Sequence, residues 1–370
     1  MAESVVASAA RERAALPARI AIVAITRRGA RFAARLAEAF PEAALYVAER
    51  WRAEAGERAQ PFGGGLSRLV RDLFTTYEGL VFFTAVGIAV RLIAPHLRSK
   101  HTDPAVVAVD DAAHYAVSVL SGHRGGGNAL AARVGALLGA TPVLTTASEA
   151  HGTLPVDLLG REFGWQLEQQ EVAKDVGAAL VNGEPVGLVQ EAGERDWWEG
   201  PLPPNVRPCD SLEALAALGW PGLVITDRCV PPALEPAAAR WVLYRPRTLV
   251  LGVGASSGVT AEEIEALVRA ALAEAGLAWG SLSAVATLDR RIAEPGLVAF
   301  ATRHRLPLRG YPAAELARVS VPHPSAAVAR HVGTPSVCEA AACLAAGGPL
   351  VVSKRKGVRA TVALARRAGL

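Results

Sequence analysis

The chain has 370 residues, 39 Lys+Arg against 35 Asp+Glu, and 51% hydrophobic but only 5% aromatic residues. That length predicts two or three domains, and the apolar share excludes wholesale disorder. No run reaches the roughly 18 uninterrupted apolar residues of a membrane helix, and the first 20 residues carry acids and arginines where a signal peptide needs an apolar core. Cys209, Cys229, Cys338 and Cys343 show neither CxxC pairing nor metal-ligand spacing, so a reduced, cytoplasmic protein with no protein metal site is expected.

The formal charge of +4 is unevenly spread: +4 over residues 1–150, −6 over 151–250 and +6 over 251–370. Two basic outer segments could gather a polyanionic ligand, while arginine placed on solvated faces by an Arg-rich composition is the alternative that charge alone favours. Nucleic acid is not expected, because the arginines are scattered and no stripe of basic and aromatic residues occurs. Lysine occurs only at Lys100, Lys174, Lys354 and Lys356, which draws attention to those beside glycine-rich turns.

In chain order, residues 1–17 read as an Ala-rich flexible extension. Residues 19–26 read as a buried strand, 30–40 as an amphipathic helix and 44–48 as a second strand. A glycine turn at 63–65 leads into a helix at 66–77. The apolar run 79–90 reads as buried structure rather than a membrane helix, with a strand at 80–86 and a short helical stretch from Gly87 to Pro95. Residues 106–110 and 115–120 suit a strand pair, 128–138 a helix and 142–145 a strand. The acidic middle has an Asn182–Gly183 turn ahead of the apolar run 185–189, and a strand at 223–226. Residues 248–253 predict a strand, and Thr260 with Glu263 predicts a capping box for a helix at 261–275. Strand 350–353, a basic loop 354–356 and a helix from Val358 close the chain. The alternation indicates α/β architecture: three small domains at 18–152, 153–245 and 246–370, the outer two with mixed or parallel sheets on either side of an acidic middle.

The strongest local feature is the run Leu120-Ser121-Gly-His123-Arg-Gly125-Gly126-Gly127-Asn128, a strand emptying through glycines into a helix. Such a loop lets backbone amides approach an anion, and His123 is a candidate general acid or base; a plain structural turn is the alternative. Arg91 interrupts an apolar run, and Asp103 and Asp110 could pair it or act as acid/base groups. Gly254-Ala-Ser256-Ser-Gly258 formally satisfies the nucleophile-elbow pattern, with Asp289 and His304, His323 or His331 downstream.

Residues 87–147, containing SGHRGGGN, together with LGVGASSG (251–258), VPHPSAAV (321–328), VGTPSVCEAAA (332–342) and VSKRKGVRATVALA (352–365), resemble the cobalt-precorrin-5A hydrolase (CbiG-type) family of anaerobic cobalamin synthesis. The resemblance implies a hydrolase that opens the δ-lactone of a cobalt-containing macrocycle and releases acetaldehyde. It implies no cofactor, because the cobalt belongs to the substrate, and an anionic tetrapyrrole as ligand. Other enzymes of the same pathway are implied as partners, and oligomeric state is left open.

On the matching positions, His123, Asp103 and Asp110 become the catalytic candidates. Gly87, Arg91, Lys100, Ser121, Gly125, Gly126, Asn128, Thr145, Thr146, Gly252, Gly254, Ser336, Glu339, Lys354 and Lys356 become the candidate substrate contacts. His123 would activate water or deprotonate the freed hydroxyl. The amides of residues 125–127 with Asn128 would hold the oxyanion, and the basic residues would hold carboxylates. Ala255 stands where the family usually has cysteine, which argues against a thiol nucleophile there. A corrinoid carrier without catalysis and a serine hydrolase using Ser256 are the alternatives.

Overall fold

A computed structural model describes residues 16–99, 102–122, 125–145, 153–198 and 200–370. The chain divides into two compact units, residues 1–158 and 159–370. The first holds one sheet and the second holds two.

The first unit contains β1 (Ile20–Ala24), α1 (Arg27–Ala39), β2 (Ala44–Ala48), β3 (Gln60–Phe62), α2 (Leu66–Thr76) and β4 (Gly79–Phe83). It continues with α3 (Val86–Ile93), β5 (Ala105–Val109), β6 (Tyr115–Leu120), α4 (Gly127–Leu138) and β7 (Thr141–Val143). The sheet order is β3-β2-β1-β4-β5-β6-β7, with β5 and β6 antiparallel and every other neighbouring pair parallel. β1, β4 and β5 are buried along their whole length because both faces are covered. Ile20, Ile22 and Val107 pack with α1 and α4 on one face, while Ala21, Val23 and Phe82 pack with α2 and α3 on the other. Thr26 caps α1 by accepting the Gly29 N–H.

The apolar run 79–90 divides into a strand and a helix, as expected, with the boundary a few residues earlier. It breaks after Phe83, and α3 buries Ala89 and Ile93 while Val86, Ile88 and Val90 remain exposed. Apolar continuity alone does not distinguish a strand from a strand followed by a helix.

In the second unit, β8 (Gln166–Glu168), α5 (Gln170–Val181), β9 (Val186–Gln190), β10 (Val206–Pro208), α6 (Leu212–Leu218), β11 (Gly222–Ile225), α7 (Glu235–Ala238) and β12 (Trp241–Arg245) build a sheet of order β10-β9-β11-β12-β8. β13 (Leu249–Ala255), α8 (Ala261–Ala275), β14 (Leu282–Leu288), α9 (Pro295–Arg303), β15 (Leu308–Tyr311), α10 (Ala313–Leu316), α11 (Ala326–Val332), α12 (Cys338–Ala346), β16 (Leu350–Lys356) and β17 (Ala360–Arg366) follow. Their sheet runs β15-β14-β13-β17-β16, with β17 antiparallel to both of its neighbours. The two sheets share one unit because polar groups lock their joint. Asp227 accepts from Arg366 and Thr248, and Arg247 donates to the Leu282 carbonyl.

The capping box at Thr260 and Glu263 is present in full. Two expectations fail at the chain's end: residues 354–356 extend β16 rather than forming a loop, and the helix expected from Val358 is instead β17. Alanine-rich sequence favours helix locally, but β17 lies inside the sheet, where tertiary packing overrides propensity. Its alanines Ala363 and Ala365 are fully buried, and Ala365 packs in the same core as Ala340–Ala342 of α12.

Candidate functional site

Strand direction separates the candidates of the first unit. Val109 of β5 lies opposite Ala116 of β6, and Val106 lies opposite Leu120. β6 therefore delivers Ser121 and the glycine loop to the end of the sheet where β5 begins. Gly87 and Asp110 follow the far ends of β4 and β5. At about 3.3 Å per residue, a five-residue strand separates the two groups by roughly 16 Å. Thr145 follows β7, which runs parallel to β6, so it is exposed at the same end as Ser121. His123, Lys100 and Thr146 lie outside the described residues.

Two of the loop's amides are used by the loop itself. Gly127 N–H donates to the Ser121 carbonyl at 3.1 Å, and Asn128 N–H donates to the Gly122 carbonyl at 2.9 Å. These two amides are thus not directed at a ligand, which corrects part of the oxyanion expectation. Gly126 takes φ +81°, and a Cβ on Gly125 would come within 2.5 Å of the Ser121 Cβ, so both glycines are required by the turn. Asn128 is buried at the start of α4.

The carboxylates and the arginine also take local roles. Asp103 accepts from the amides of Arg98 and Ser99 at 3.0–3.2 Å, and its carbonyl accepts from the Ser121 hydroxyl at 2.9 Å. Asp110 accepts from the Ala112 and Tyr115 amides at 3.1 and 2.6 Å. Both close turns. Arg91 is exposed on α3 and donates to the Gly87 carbonyl one turn earlier at 3.1 Å, so its charge is solvated and pairs with neither aspartate.

The second unit brings several candidates together. At the C-terminal ends of β13, β14 and β16 lies a cavity of about 380 Å³. Gly254, Ser336, Lys354 and Lys356 line it, with Arg291, Ser325 and Arg359, which sequence reasoning did not select. The position beside the point where strand order reverses is where open α/β sheets place ligands. Strand alternation explains the lysines: Lys354 and Lys356 face the cavity, while Arg355 between them pairs with Glu274 at 2.6 Å. Four cations thus surround the cavity, two of them backed by carboxylates: Arg291 by Glu294 at 3.3 Å and Arg359 by Glu263 at 3.1 Å.

Gly252 and Glu339 serve the cavity from behind rather than touching its contents. A Cβ on Gly252 would lie 1.9 Å from the Cys338 carbonyl, so this glycine lets α12 rest directly on β13. Glu339, at the start of α12, has no exposed surface. Its Oε1 accepts from His323 Nδ1 at 2.9 Å and Lys354 N–H at 3.0 Å. Its Oε2 accepts from His323 N–H at 3.2 Å and the Ser336 hydroxyl at 3.4 Å. Burial works to raise this carboxyl's pKa, but the Lys354 amide and the two His323 donors outweigh it and hold it below the usual carboxylate range.

The structure also weakens the serine nucleophile reading, and no cysteine at the site takes its place. Burial pushes the Cys338 thiol up, away from the thiolate form. Ser256 is exposed at the cavity but is not among the residues with positive φ, so it lacks the strained turn of a nucleophile elbow. Among the described residues no hydrogen bond joins Ser256 to His304, His323 or His331, its supposed partners.

Fold and site together define an α/β protein with a cation-lined cavity suited to a carboxylate-bearing ligand. Comparison with known proteins makes this specific. Residues 68–149 match the family described as Cobalamin synthesis G N-terminal, 154–246 the Cobalamin biosynthesis central region, and 249–365 the Cobalamin synthesis G C-terminus. The chain belongs to the cobalamin synthesis G family. It is 38% identical over 351 residues to the cobalt-precorrin-5A hydrolase of Priestia megaterium, covering 93% of this chain and 94% of that one. It is 31% identical to the cobalt-precorrin-5A hydrolase of Salmonella typhimurium, covering 94% and 98%. It is also 43% identical over 126 residues to Protein CobE of a Sinorhizobium species, covering 33% of this chain and 82% of that one. Residues 20–62, which supply β1 to β3, precede the match to the N-terminal family model yet place β1 inside the first sheet, beside β4.

Proposed function

We propose that the chain is a cobalt-precorrin-5A hydrolase: it adds water across the δ-lactone of the cobalt-containing macrocycle and releases the two-carbon unit as acetaldehyde, giving cobalt-precorrin-5B. The observation that carries this reading is the 38% identity to a protein of that name along 93% of the chain. The cavity supports it, since Lys354, Lys356, Arg291 and Arg359 offer charge-assisted hydrogen bonds to the macrocycle's acetate and propionate groups. Cobalt enters as part of the substrate, so the protein needs no cofactor of its own for this chemistry.

His123 is assigned to deprotonate the hydroxyl freed by lactone opening. The resulting alkoxide collapses to a carbonyl, the carbon–carbon bond breaks with its electron pair taken up by the macrocycle, which receives the proton held by His123, and acetaldehyde leaves. The reaction belongs in the cytoplasm, where the enzymes that supply and consume the intermediate are its natural partners. The four cysteines are free thiols, which fits a reducing compartment, and among the described residues no helix is long and apolar enough to cross a membrane.

The test is acetaldehyde release from the purified protein supplied with the cobalt-containing lactone, with His123→Ala in parallel. Stoichiometric acetaldehyde from the native protein establishes the hydrolase, and its loss in the variant assigns His123. Tight binding of the macrocycle with no acetaldehyde identifies a carrier instead.

A further inference from the structure

We propose that His323 is a catalytic acid–base residue, held in place by Glu339, and that it activates the water that opens the lactone. This deepens the functional reading above and rests on it. His323 stands in a Val-Pro-His-Pro segment between α10 and α11, where Pro322 and Pro324 restrict the backbone on both sides.

The residue is clamped at three atoms. Its N–H donates to Glu339 Oε2 at 3.2 Å, its Nδ1 meets Glu339 Oε1 at 2.9 Å, and its carbonyl accepts from Lys354 Nζ at 2.6 Å. Ser336 and Lys354, which share this network, line the cavity, as does Ser325 two residues on. Yet the His323 side chain is 55% exposed, whereas Glu339 is wholly enclosed. An exposed loop histidine needs no such support for folding.

The carboxylate's side of the network points the same way. A buried carboxylate is costly unless paired and hydrogen-bonded. Of the groups bonded to Glu339, the amides and the Ser336 hydroxyl are neutral, and only His323 can gain a charge. An ionised carboxylate only accepts, so Nδ1 must carry the hydrogen it donates. In the neutral ring, the lone pair is therefore on Nε2, on the side of the ring turned away from Glu339. The carboxylate behind the ring fixes this tautomer and its orientation and leaves Nε2 open to take a proton, an arrangement suited to general-base work.

The step balances as a hydrolysis. Nε2 takes one proton from water while the water oxygen bonds to the lactone carbonyl carbon. The tetrahedral intermediate then breaks its ring C–O bond, and the departing oxygen takes the proton back from Nε2. The products are a carboxylic acid and a free hydroxyl, with His323 returned to its neutral form. Glu339 is a positioning residue and touches no reacting atom.

Single-turnover reactions followed by mass spectrometry separate this proposal from the functional reading. The native protein is expected to convert the lactone to a species 18 mass units heavier and then to release acetaldehyde. His323→Ala should slow the 18-unit gain by about 100-fold or more, with macrocycle binding unchanged, and added imidazole should restore part of the rate. Glu339→Gln should lower kcat with little change in KM. If it does not fold, the His323 result decides alone, since His323 is exposed. Lactone opening at the native rate in His323→Ala overturns the proposal and leaves the hydrolase intact. Absence of both the 18-unit gain and acetaldehyde release in the native protein overturns the functional reading instead.

Discussion

Asp227 and Arg366, 139 residues apart in the chain, form a two-pronged ion pair at 2.8 and 2.9 Å that joins the middle sheet to the last strand of the terminal one. Asp227 is 1% exposed, and the Thr248 hydroxyl donates to it as well at 2.8 Å. The joint is thus a polar lock with its acceptors satisfied.

Removing the aspartate strands the guanidinium and the Thr248 hydroxyl. Asp227→Ala should destabilise the second unit by roughly 3 kcal/mol, because one partner of a largely buried pair is left unmatched. Calorimetry should show the loss in the transition of residues 159–370. An unchanged profile would show that the joint carries no stability.

Gly252 provides a test of packing against ligand contact. Gly252→Ala places a methyl group 1.9 Å from the Cys338 carbonyl, so α12 must shift. The expected cost is about 2 kcal/mol or more, with substrate affinity falling only as a consequence. Native stability with weakened binding would restore Gly252 as a substrate contact.

The depressed carboxyl of Glu339 gives a signed pH dependence. Burial opposes ionisation, but the Lys354 amide and the His323 donors prevail, so the folded-state value lies below the ordinary 4.5. Its stabilisation is fully present above that value and is lost as the pH falls through the lower folded-state value. Glu339→Gln should therefore be less stable than the native protein at neutral pH, and the gap should narrow on acidification. A gap independent of pH would sever the stabilisation from the charge.

The cation-lined cavity predicts salt sensitivity. Lys356→Ala should raise KM with little change in kcat, and the native KM should rise with ionic strength as screening shortens from about 10 Å at 0.1 M to about 3 Å at 1 M. Steady-state kinetics on both proteins across that range provide the check. A KM indifferent to salt and to the substitution would move the carboxylate contacts elsewhere.

Ser256→Ala should be silent in acetaldehyde release, because Ser256 lacks the strained backbone of a nucleophile elbow and, among the described residues, makes no hydrogen bond to a histidine. Labelling of Ser256 by a fluorophosphonate would reverse this.

The sequence by itself determined whatever local chemistry decides. Thr260 and Glu263 cap α8 because each satisfies an amide within one turn, and β1 is a buried strand because an unbroken apolar run finds cover on both faces. The SGHRGGGN loop and the terminal motifs carried the family resemblance directly. What the tertiary structure decided was direction and neighbourhood. The antiparallel turn of β6 put the Ser121 loop and Gly87 at opposite ends of a sheet, although they stand close in sequence. Residues 360–366, alanine-rich and helical by propensity, became β17 because the sheet offered a gap between β13 and β16. His323, Ser336, Glu339 and Lys354 form one network only because α12 settles against Gly252. Spacing along a chain sets which groups can cap or alternate, but contacts between distant segments depend on strand order and close packing, which no local pattern contains.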